Sequence, residues 1–264
     1  MAEAGEQEGH FRSTCRGDLA LECCPPWMVS LEMLTHLAQQ STFDSASAED
    51  RLHALYRGTR HDACASIPGI CRAKRQDGGC IRLFKTLYTN RCSHQCSYCI
   101  NSCSTIRHFS YTPEELSWIT HSLYMSGQID GLFLSSGTGR GEEKAMEGML
   151  ETARLLRSRY GFRGYIHLKI LPGASLHHID EAVEISDRVS INIEAPSASR
   201  MSEISSTKDY ERDILQRQRY ISRLTERSGS QTDQTTQLVV GAGGESDIEI
   251  FERVLYEYEE MGVK

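Results

Sequence analysis

Residues 85–99 of the chain read KTLYTNRCSHQCSYC, a strand-like run followed at once by three closely spaced cysteines. The cysteines are Cys92, Cys96 and Cys99, in a C-x3-C-x2-C spacing with a tyrosine directly before the third. A closed 4Fe–4S cluster takes four thiolates. Three thiolates from one short loop would leave one iron with a free coordination site, where a small molecule with an amine and a carboxylate can chelate. The motif therefore predicts a 4Fe–4S cluster held by these three cysteines.

A structural zinc ion is the alternative occupant of this loop, with Cys103, His94 or His108 as a fourth ligand. Tetrahedral zinc sites with three or four cysteine ligands use similar short spacings. Zinc modules usually place two ligands, then a long gap, then two more, which a single tight triplet does not match. The spacing therefore favours the iron–sulfur cluster, and a measurement of metal content separates the two.

The other cysteines allow two interpretations. The chain has 264 residues and ten cysteines, and a chain of this length buries enough apolar surface to fold without a disulfide framework. Four cysteines outside the loop could ligate a second cluster or could be spare thiols: Cys64, Cys71, Cys80 and Cys103. Spare thiols are the commoner case, because free cysteine packs as a small apolar residue, and the sequence leaves both interpretations open.

The composition gives no sign of a secreted, membrane-bound or strongly basic protein. The first ten residues are acidic and polar, and the apolar stretch at 19–29 is interrupted by Glu22, Pro25 and Pro26, so neither matches a secretory signal. No apolar run reaches the length of a membrane span. We therefore expect a cytoplasmic protein without a membrane partner, in a compartment where thiols stay reduced. The net charge of −7 and a pI near 5.8 provide no global basic field for nucleic acid.

Two local groups of basic residues stand out against this acidic background. One precedes the cysteine loop and the other lies near the end of a predicted helix: Arg72, Lys74, Arg75, Arg82, Lys85 and Arg91, and Arg154, Arg157, Arg159 and Arg163. Basic residues of this kind are most often solvated. We therefore expect both groups to be ordinary surface.

Short apolar runs alternate with longer amphipathic segments from residue 81 onward, which is typical of β-α units and a parallel sheet. Residues 1–40 are interpreted as a poorly ordered N-terminal arm and 41–80 as a loop-rich lead-in. The predicted strands are 82–88, 131–135, 165–171, 188–193 and 237–240, and the predicted helices are 113–126, 142–160, 175–185, 207–227 and 246–261. Residues 261–264 resemble the start of a sixth strand, so we expect a C-terminally truncated chain and a barrel that is incomplete on one side.

Two of the predicted strands alternate between apolar and polar residues. The polar residues are His167 and Lys169 in one strand and include Asn192 in the next. Because successive side chains point to opposite faces of a strand, each polar set shares one face. Helices would cover the apolar face and leave the polar face to line a barrel interior. We therefore expect these three side chains to face the substrate as catalytic residues, with satisfied barrel-interior residues as the alternative.

The cysteine loop resembles that of the radical S-adenosylmethionine (radical SAM) superfamily, which it matches through Cys92, Cys96, Tyr98 and Cys99. Further segments are similar to a narrower family, the DNA modification/repair radical SAM proteins: 85–90, 111–116, 131–137, 164–169 and 190–194. The resemblance implies an α/β fold, a partial (β/α)6 radical-SAM-type barrel over residues 81–264. It also implies an enzyme that cleaves S-adenosylmethionine reductively to give a 5′-deoxyadenosyl radical, for DNA modification or repair.

The same resemblance implies residues that bind the cosubstrate. They are Ser135, Ser136 and Gly137 after the second strand, Glu194 after the fourth, and Gly241 and Gly243 after the fifth. The first set would bind the methionine end, although it replaces the Gly-Gly-Glu of many members and so offers backbone contacts without a carboxylate. The glutamate would hydrogen-bond the ribose, and the glycines would let the backbone approach the adenine. The implied cofactors are a 4Fe–4S cluster and S-adenosyl-L-methionine, with an electron donor such as flavodoxin or ferredoxin.

Two other functions stay open at this stage. A radical SAM enzyme could act on RNA, a protein or a small metabolite instead of DNA, and the sequence does not distinguish these substrates. A non-catalytic zinc or iron–sulfur module, in which the thiolates only fix a loop, would need no cosubstrate. A content of about four irons with matching sulfide supports the enzyme, whereas one zinc supports the module.

Overall fold

The computed structural model describes residues 69–74, 78–102, 107–139, 141–227 and 231–264. The predicted N-terminal arm, most of the lead-in, Cys64 and Cys103 lie outside these residues. The described residues form one six-stranded sheet in the order β1-β2-β3-β4-β5-β6. The strands are β1 Ile70–Lys74, β2 Cys80–Leu87, β3 Gly131–Ser135, β4 Tyr165–Lys169, β5 Arg188–Ser190 and β6 Asp233–Thr235. β1 runs antiparallel to β2 and each later pair is parallel, which confirms the predicted α/β sheet.

Helices connect the parallel strands, and neighbouring helices pack against one another. They are α1 Pro113–Met125, α2 Glu142–Arg154, α3 Leu176–Ile185, α4 Ala198–Ile204, α5 Gln216–Arg227 and α6 Asp247–Glu259. Two π-helical turns, Leu155–Arg159 and Tyr210–Leu215, extend α2 and precede α5. At the start of α1, Thr112 and Glu115 form a reciprocal capping box, which satisfies two backbone N–H groups that the helix leaves unpaired. None of the described helices is long and apolar enough to cross a lipid bilayer.

Three elements differ from the predicted ones. β1 lies in the predicted lead-in, and the short helix α4 lies within the fourth predicted unit, between the strand predicted at 188–193 and the helix predicted at 207–227. The strand predicted at 237–240 was wrong, because the strand paired with β5 is Asp233–Thr235. Residues 237–239 only continue it, through an isolated bridge between Leu238 and Glu194. β6 is polar, and its central Gln234 is buried with a side-chain bond to the Met261 carbonyl, so hydrophobic periodicity could not locate it.

The alternation predicted for β4 is confirmed. Ile166 and Leu168 are fully buried in the hydrophobic core that lies between the sheet and its helices. The intervening His167 and Lys169 therefore lie on the opposite, inner face of the sheet. In the same sheet, Val263 forms a parallel bridge with Gln234, which confirms the strand-like pairing expected of residues 261–264.

One row of side chains crosses the inner face in register. Lys85 on β2 pairs with Phe133 on β3, Phe133 pairs with His167 on β4, and His167 pairs with Arg188 on β5. Paired residues of neighbouring strands point to the same face, about 5 Å apart. This central row therefore separates the carboxyl half of the inner face from its amino half.

Candidate metal and cofactor site

The cysteine loop leaves β2 at the carboxyl edge of the sheet and borders a cavity of about 470 Å³, here called the upper cavity. The expected site residues that line it are Cys92, Cys96 and Cys99, Ser135, Ser136 and Gly137, Lys169, Asn192 and Glu194. These residues come from the ends of β2, β3, β4 and β5, because the carboxyl ends of parallel strands meet at one edge. The structure thus brings nine of the twelve expected residues together.

The start of the loop is fixed by a returning segment at 107–110. The buried side chain of Asn90 donates to the Arg107 carbonyl at 2.9 Å and accepts from the Phe109 N–H at 2.6 Å. Thr89 donates its hydroxyl to the Phe109 carbonyl at 2.9 Å. These bonds satisfy polar groups that would otherwise be buried unpaired, and they set the direction in which the loop leaves the strand.

The loop after β3 holds the first cysteine. Thr138 accepts from the Ser93 N–H at 2.9 Å and lies 3.5 Å from the Cys92 sulfur. The Gly137 N–H donates to the Thr89 carbonyl at 2.7 Å. A Cβ at Gly137 would lie 2.2 Å from the Arg91 carbonyl oxygen, so only glycine allows this approach.

The segment after α4 holds the second cysteine. Cys96 pairs with Ser205 in an antiparallel bridge, and the Ser97 N–H donates to the Ile204 carbonyl at 2.9 Å. The Gln95 N–H donates to the Thr207 hydroxyl at 3.1 Å. No local sequence pattern predicts this contact, because it joins residues more than one hundred positions apart.

The three thiols are free and sheltered, which suits ligands of a buried cluster. Cys96 is 5% exposed, and burial, followed by the nearby Cys96 and Cys92, raises the pKa of Cys99. In the described residues, no three His, Cys, Asp or Glu side chains converge on a single metal-ion position. The three thiols come from one short loop and border the same cavity, and a 4Fe–4S cubane binds each thiolate through a different iron, so this donor set fits such a cluster.

Lys208 is a site residue that sequence reasoning missed. Its ammonium lies 3.4 Å from a Glu194 carboxylate oxygen and 3.3 Å from the Tyr98 hydroxyl, and it lines the upper cavity. Burial acts to lower the pKa of Lys208, but Glu194 and then Cys96 outweigh it, so the net effect is a raised pKa. Lys208 is thus a buried cation beside the cysteine loop at neutral pH. A lone lysine in a polar loop carries no sequence signal of this role.

Glu194 has a backbone conformation that few glutamates adopt, with φ of 61°. This left-handed conformation costs roughly 1–3 kcal/mol in a residue with a side chain. It turns the chain at the end of β5 and directs the carboxylate toward Lys208. The side-chain amide N–H of Asn192 donates to the same carboxylate at 3.3 Å. The side-chain amide oxygen of Asn192 is buried without a hydrogen-bond partner among the described residues. Lys169 donates to Gln237 at 2.8 Å.

Three expected residues do not line the upper cavity. His167 lies in the central row, with its ring stacked on Phe133 at 4.3 Å and Nε2 2.8 Å from the Ser190 hydroxyl. Burial, followed by Arg188, Lys169 and Lys85, lowers the pKa of His167 well below its usual value, so the ring is neutral at pH 7. The N–H groups of Gly241 and Gly243 instead donate to the Glu245 carboxylate. On that side the cavity is lined by residues 237–239.

Cys71 and Cys80 lie away from the cysteine loop. Cys80 is the first residue of β2, and the loop begins only after the last. Seven residues of extended chain span about 23 Å. Cys71 pairs with Leu83 on the same strand, four residues before its end, so neither thiol adjoins the three-cysteine site. Cys64 and Cys103 are outside the described residues.

Comparison with known protein families identifies the superfamily of the chain. Residues 86–254 match the model of the radical SAM superfamily. The chain belongs to the radical SAM superfamily. No curated protein matches the sequence significantly.

Solved structures of radical SAM enzymes share this fold. Methylornithine synthase (PylB) superposes with a TM-score of 0.54 at 16% identity, over 94% of this chain and 65% of that one. The hydrogenase maturase HydG from Carboxydothermus hydrogenoformans gives 0.53 at 14% identity, over 89% of this chain and 51% of that one. The chain therefore spans between half and two thirds of the length of these enzymes, and the likeness confirms the radical-SAM-type partial barrel.

Gly137→Ala should reduce iron loading after anaerobic reconstitution to well below half, because the added methyl group pushes the loop after β3 away from Arg91 and Cys92. Iron and sulfide analysis measures the effect. Ser136→Ala, next to it in the same cavity wall, is the matched control and should load fully. Full loading of Gly137→Ala would show that the close approach does not position the cysteines.

Proposed function

We propose that the chain is the cluster- and cosubstrate-binding part of a radical SAM enzyme, with a 4Fe–4S cluster on Cys92, Cys96 and Cys99. When bound, the cluster supplies the electron that splits S-adenosylmethionine into methionine and a 5′-deoxyadenosyl radical, which takes a hydrogen atom from a substrate. The observation that carries the proposal is the convergence of three thiols, Glu194 and Lys208 on one cavity at the carboxyl edge of the sheet.

The cavity offers complementary groups for the cosubstrate. Its volume of about 470 Å³ lies within the range of small-molecule sites. Lys208 is a buried cation suited to the methionine carboxylate, and Glu194 is a hydrogen-bond acceptor suited to the ribose hydroxyls. The side-chain oxygen of Asn192, which has no hydrogen-bond partner among the described residues, can accept a bond from a ligand N–H or O–H. The backbone at 135–137 and 237–239 completes the walls.

The remaining walls would protect a reactive radical from water. They are apolar and come from four different strand ends: Leu87, Phe133, Ile170, Leu171, Leu238 and Val239. Excluding water from such a site prevents side reactions of the radical. We assign this shielding to the apolar walls.

The electron would come from a donor protein such as flavodoxin or ferredoxin. Arg91, Ser93 and Gln95 alternate along the cysteine loop and are exposed, while Cys96 is buried. One side of the loop thus faces the solvent and the other faces the cavity. We propose that the donor approaches the exposed side.

We propose DNA as the substrate from the similarity to the DNA modification/repair family. Such a substrate must meet two physical requirements. A base in a duplex cannot reach a cavity of this kind unless it is extruded. Neutralising phosphates also needs clustered Lys and Arg, and the affinity then falls steeply with salt. RNA, a protein or a small metabolite is the alternative substrate.

The reaction is tested by anaerobic reconstitution, reduction and a search for 5′-deoxyadenosine. We expect the wild-type chain to bind about four irons and to form 5′-deoxyadenosine. Cys92→Ala, Cys96→Ala and Cys99→Ala should each lose the brown chromophore, because two thiolates do not hold the cubane. Cys80→Ala, an exposed thiol outside the loop, is the control and should retain it. One zinc in place of iron, or full iron in any loop variant, would contradict the proposal.

Glu194→Gln should weaken binding of S-adenosylmethionine about ten- to hundredfold without loss of iron, since a hydrogen bond to an ionised group contributes roughly 1.5–3 kcal/mol. Equilibrium binding to the reconstituted protein measures it. Glu203→Gln, on the exposed face of α4, is the control. An unchanged affinity in Glu194→Gln would remove Glu194 from the cosubstrate site.

Duplex DNA should bind the chain alone only weakly, because its net charge is −7, so a DNA substrate would depend on a partner for the positive charge that phosphates require. Fluorescence anisotropy across a salt series measures the affinity and its salt dependence. Tight, steeply salt-dependent binding would show that the local basic groups suffice for a duplex.

A further inference from the structure

Two buried hydroxyl groups contact sulfurs of the cysteine loop. The Thr138 hydroxyl lies 3.5 Å from the Cys92 sulfur, and the Ser205 hydroxyl lies 3.4 Å from the Cys96 sulfur. Thr138 and Ser205 are only 2% and 3% exposed. They come from different parts of the fold, one from the loop after β3 and the other from the residue that follows α4. A hydroxyl therefore lies against two of the three proposed cluster ligands.

The other contacts of Thr138 show which way its hydrogen bond to sulfur runs. A threonine hydroxyl donates one hydrogen and accepts two. The Thr138 oxygen accepts from the Ser93 N–H at 2.9 Å and lies 2.8 Å from the Ser93 hydroxyl, which can fill the second acceptor position. A Cys92 thiolate has no hydrogen and can only accept. The O–H of Thr138 is thus left to donate to the Cys92 sulfur.

The contact of Ser205 reverses its direction when Cys96 becomes a ligand. In the chain without a cluster, the Cys96 thiol donates to the Ser205 oxygen. Ligation removes the thiol hydrogen, because the thiolate is the metal ligand. Among the described residues, the Cys96 sulfur is the hydrogen-bond partner of the Ser205 hydroxyl. A buried hydroxyl needs a partner, so in the loaded protein Ser205 donates its own O–H to the sulfur.

Backbone contacts hold both hydroxyls in place. Ser205 pairs with Cys96 in an antiparallel bridge, and its N–H donates to the Met201 carbonyl at 2.8 Å. The Thr138 carbonyl accepts from the Gly141 N–H at 3.0 Å. These bonds do not involve the two side chains. The hydroxyls can therefore be removed by substitution while the backbone around the cysteines keeps its contacts.

The third sulfur has a donor from the backbone. Burial raises the pKa of the Cys99 thiol, and a hydrogen bond from the Asn101 backbone acts to lower it. Lys208 adds a positive charge next to Cys96, where its pKa stays raised despite burial. Each of the three sulfurs thus has a neighbouring group that stabilises negative charge on it.

We propose that Thr138 and Ser205 donate hydrogen bonds to the Cys92 and Cys96 thiolates and thereby raise the reduction potential of the cluster. This inference rests on the proposed function, because it requires a 4Fe–4S cluster on these cysteines. Reduction adds one electron, taken from the donor protein, and the hydroxyl hydrogens stay on their oxygens. The added electron makes the ligated sulfurs more negative, which strengthens hydrogen bonds to them and favours the reduced state. The two hydroxyls therefore ease electron delivery.

A redox titration of the reconstituted chain without S-adenosylmethionine tests the proposal, with the electron paramagnetic resonance signal of the reduced cluster as the readout. Ser205→Ala removes the hydroxyl and leaves the backbone bridge. At a fixed applied potential, the ratio of reduced to oxidised cluster should fall about tenfold, a potential ~59 mV lower for a one-electron couple. Ser206→Ala, the exposed neighbour, is the matched control and should keep the potential of the wild type.

A second set of variants separates the hydrogen bond from packing. Thr138→Val removes the O–H and should lower the potential, whereas Thr138→Ser keeps the O–H and should retain it. Thr120→Val is the control, because it removes a buried hydroxyl that binds the Leu116 carbonyl in α1, away from the cysteine loop. Thr138→Val also loses the bond from the Ser93 N–H. If that variant fails to load iron, Ser205→Ala decides.

Unchanged potentials in Ser205→Ala and Thr138→Val, in a chain that forms 5′-deoxyadenosine, would overturn this inference alone. A wild-type chain that binds no iron would overturn it together with the proposed function. A lowered potential in Ser205→Ala with normal iron content supports the inference, even if the chain forms no 5′-deoxyadenosine. In that case only the radical SAM activity is refuted.

Discussion

The close placement of three thiols in one sheltered loop is the constraint on which the other features of the site depend. Ionised sulfurs repel one another, and burial together with the neighbouring cysteines raises the pKa of Cys99. The structure holds the loop in place with protein contacts from three sides, through Asn90, Thr138 and Ser205. Lys208 adds a buried positive charge next to Cys96. A site whose ligands are positioned before the metal binds loses less entropy on binding.

The strained turn at Glu194 links the proposed cosubstrate site to the last part of the sheet. Its N–H donates to the Gln237 carbonyl at 3.0 Å, and its carbonyl accepts from the Val239 N–H at 2.8 Å. Two backbone bonds thus hold a conformation that would otherwise be unfavourable, as expected where strain persists at a functional site. The same bonds bring 237–239 into the cavity wall, so one turn places both the carboxylate and the backbone opposite the cysteine loop.

Local sequence patterns predicted the parts of the fold that local physics determines. The cysteine spacing predicted the loop, the alternation around His167 predicted the inner face, and the helix predicted at 113–126 matches α1. Local sequence patterns did not predict the elements and side chains whose positions depend on long-range contacts. β6 is polar and is defined by its pairing with β5, and Lys208 is placed by its contact with Glu194. His167 was assigned to the correct face of the sheet but not to the correct cavity. The alternation of polar and apolar residues predicts the face, whereas the position relative to the upper cavity depends on the register between strands.

The central claim is that S-adenosylmethionine binds directly to an iron of the cluster held by Cys92, Cys96 and Cys99. Electron–nuclear double resonance of the reduced, reconstituted protein with cosubstrate labelled with ¹⁵N at the amine tests it most directly. We predict a ¹⁵N hyperfine coupling to the cluster that replaces the ¹⁴N coupling given by unlabelled cosubstrate. A cluster whose spectrum is unchanged by saturating cosubstrate would contradict the account.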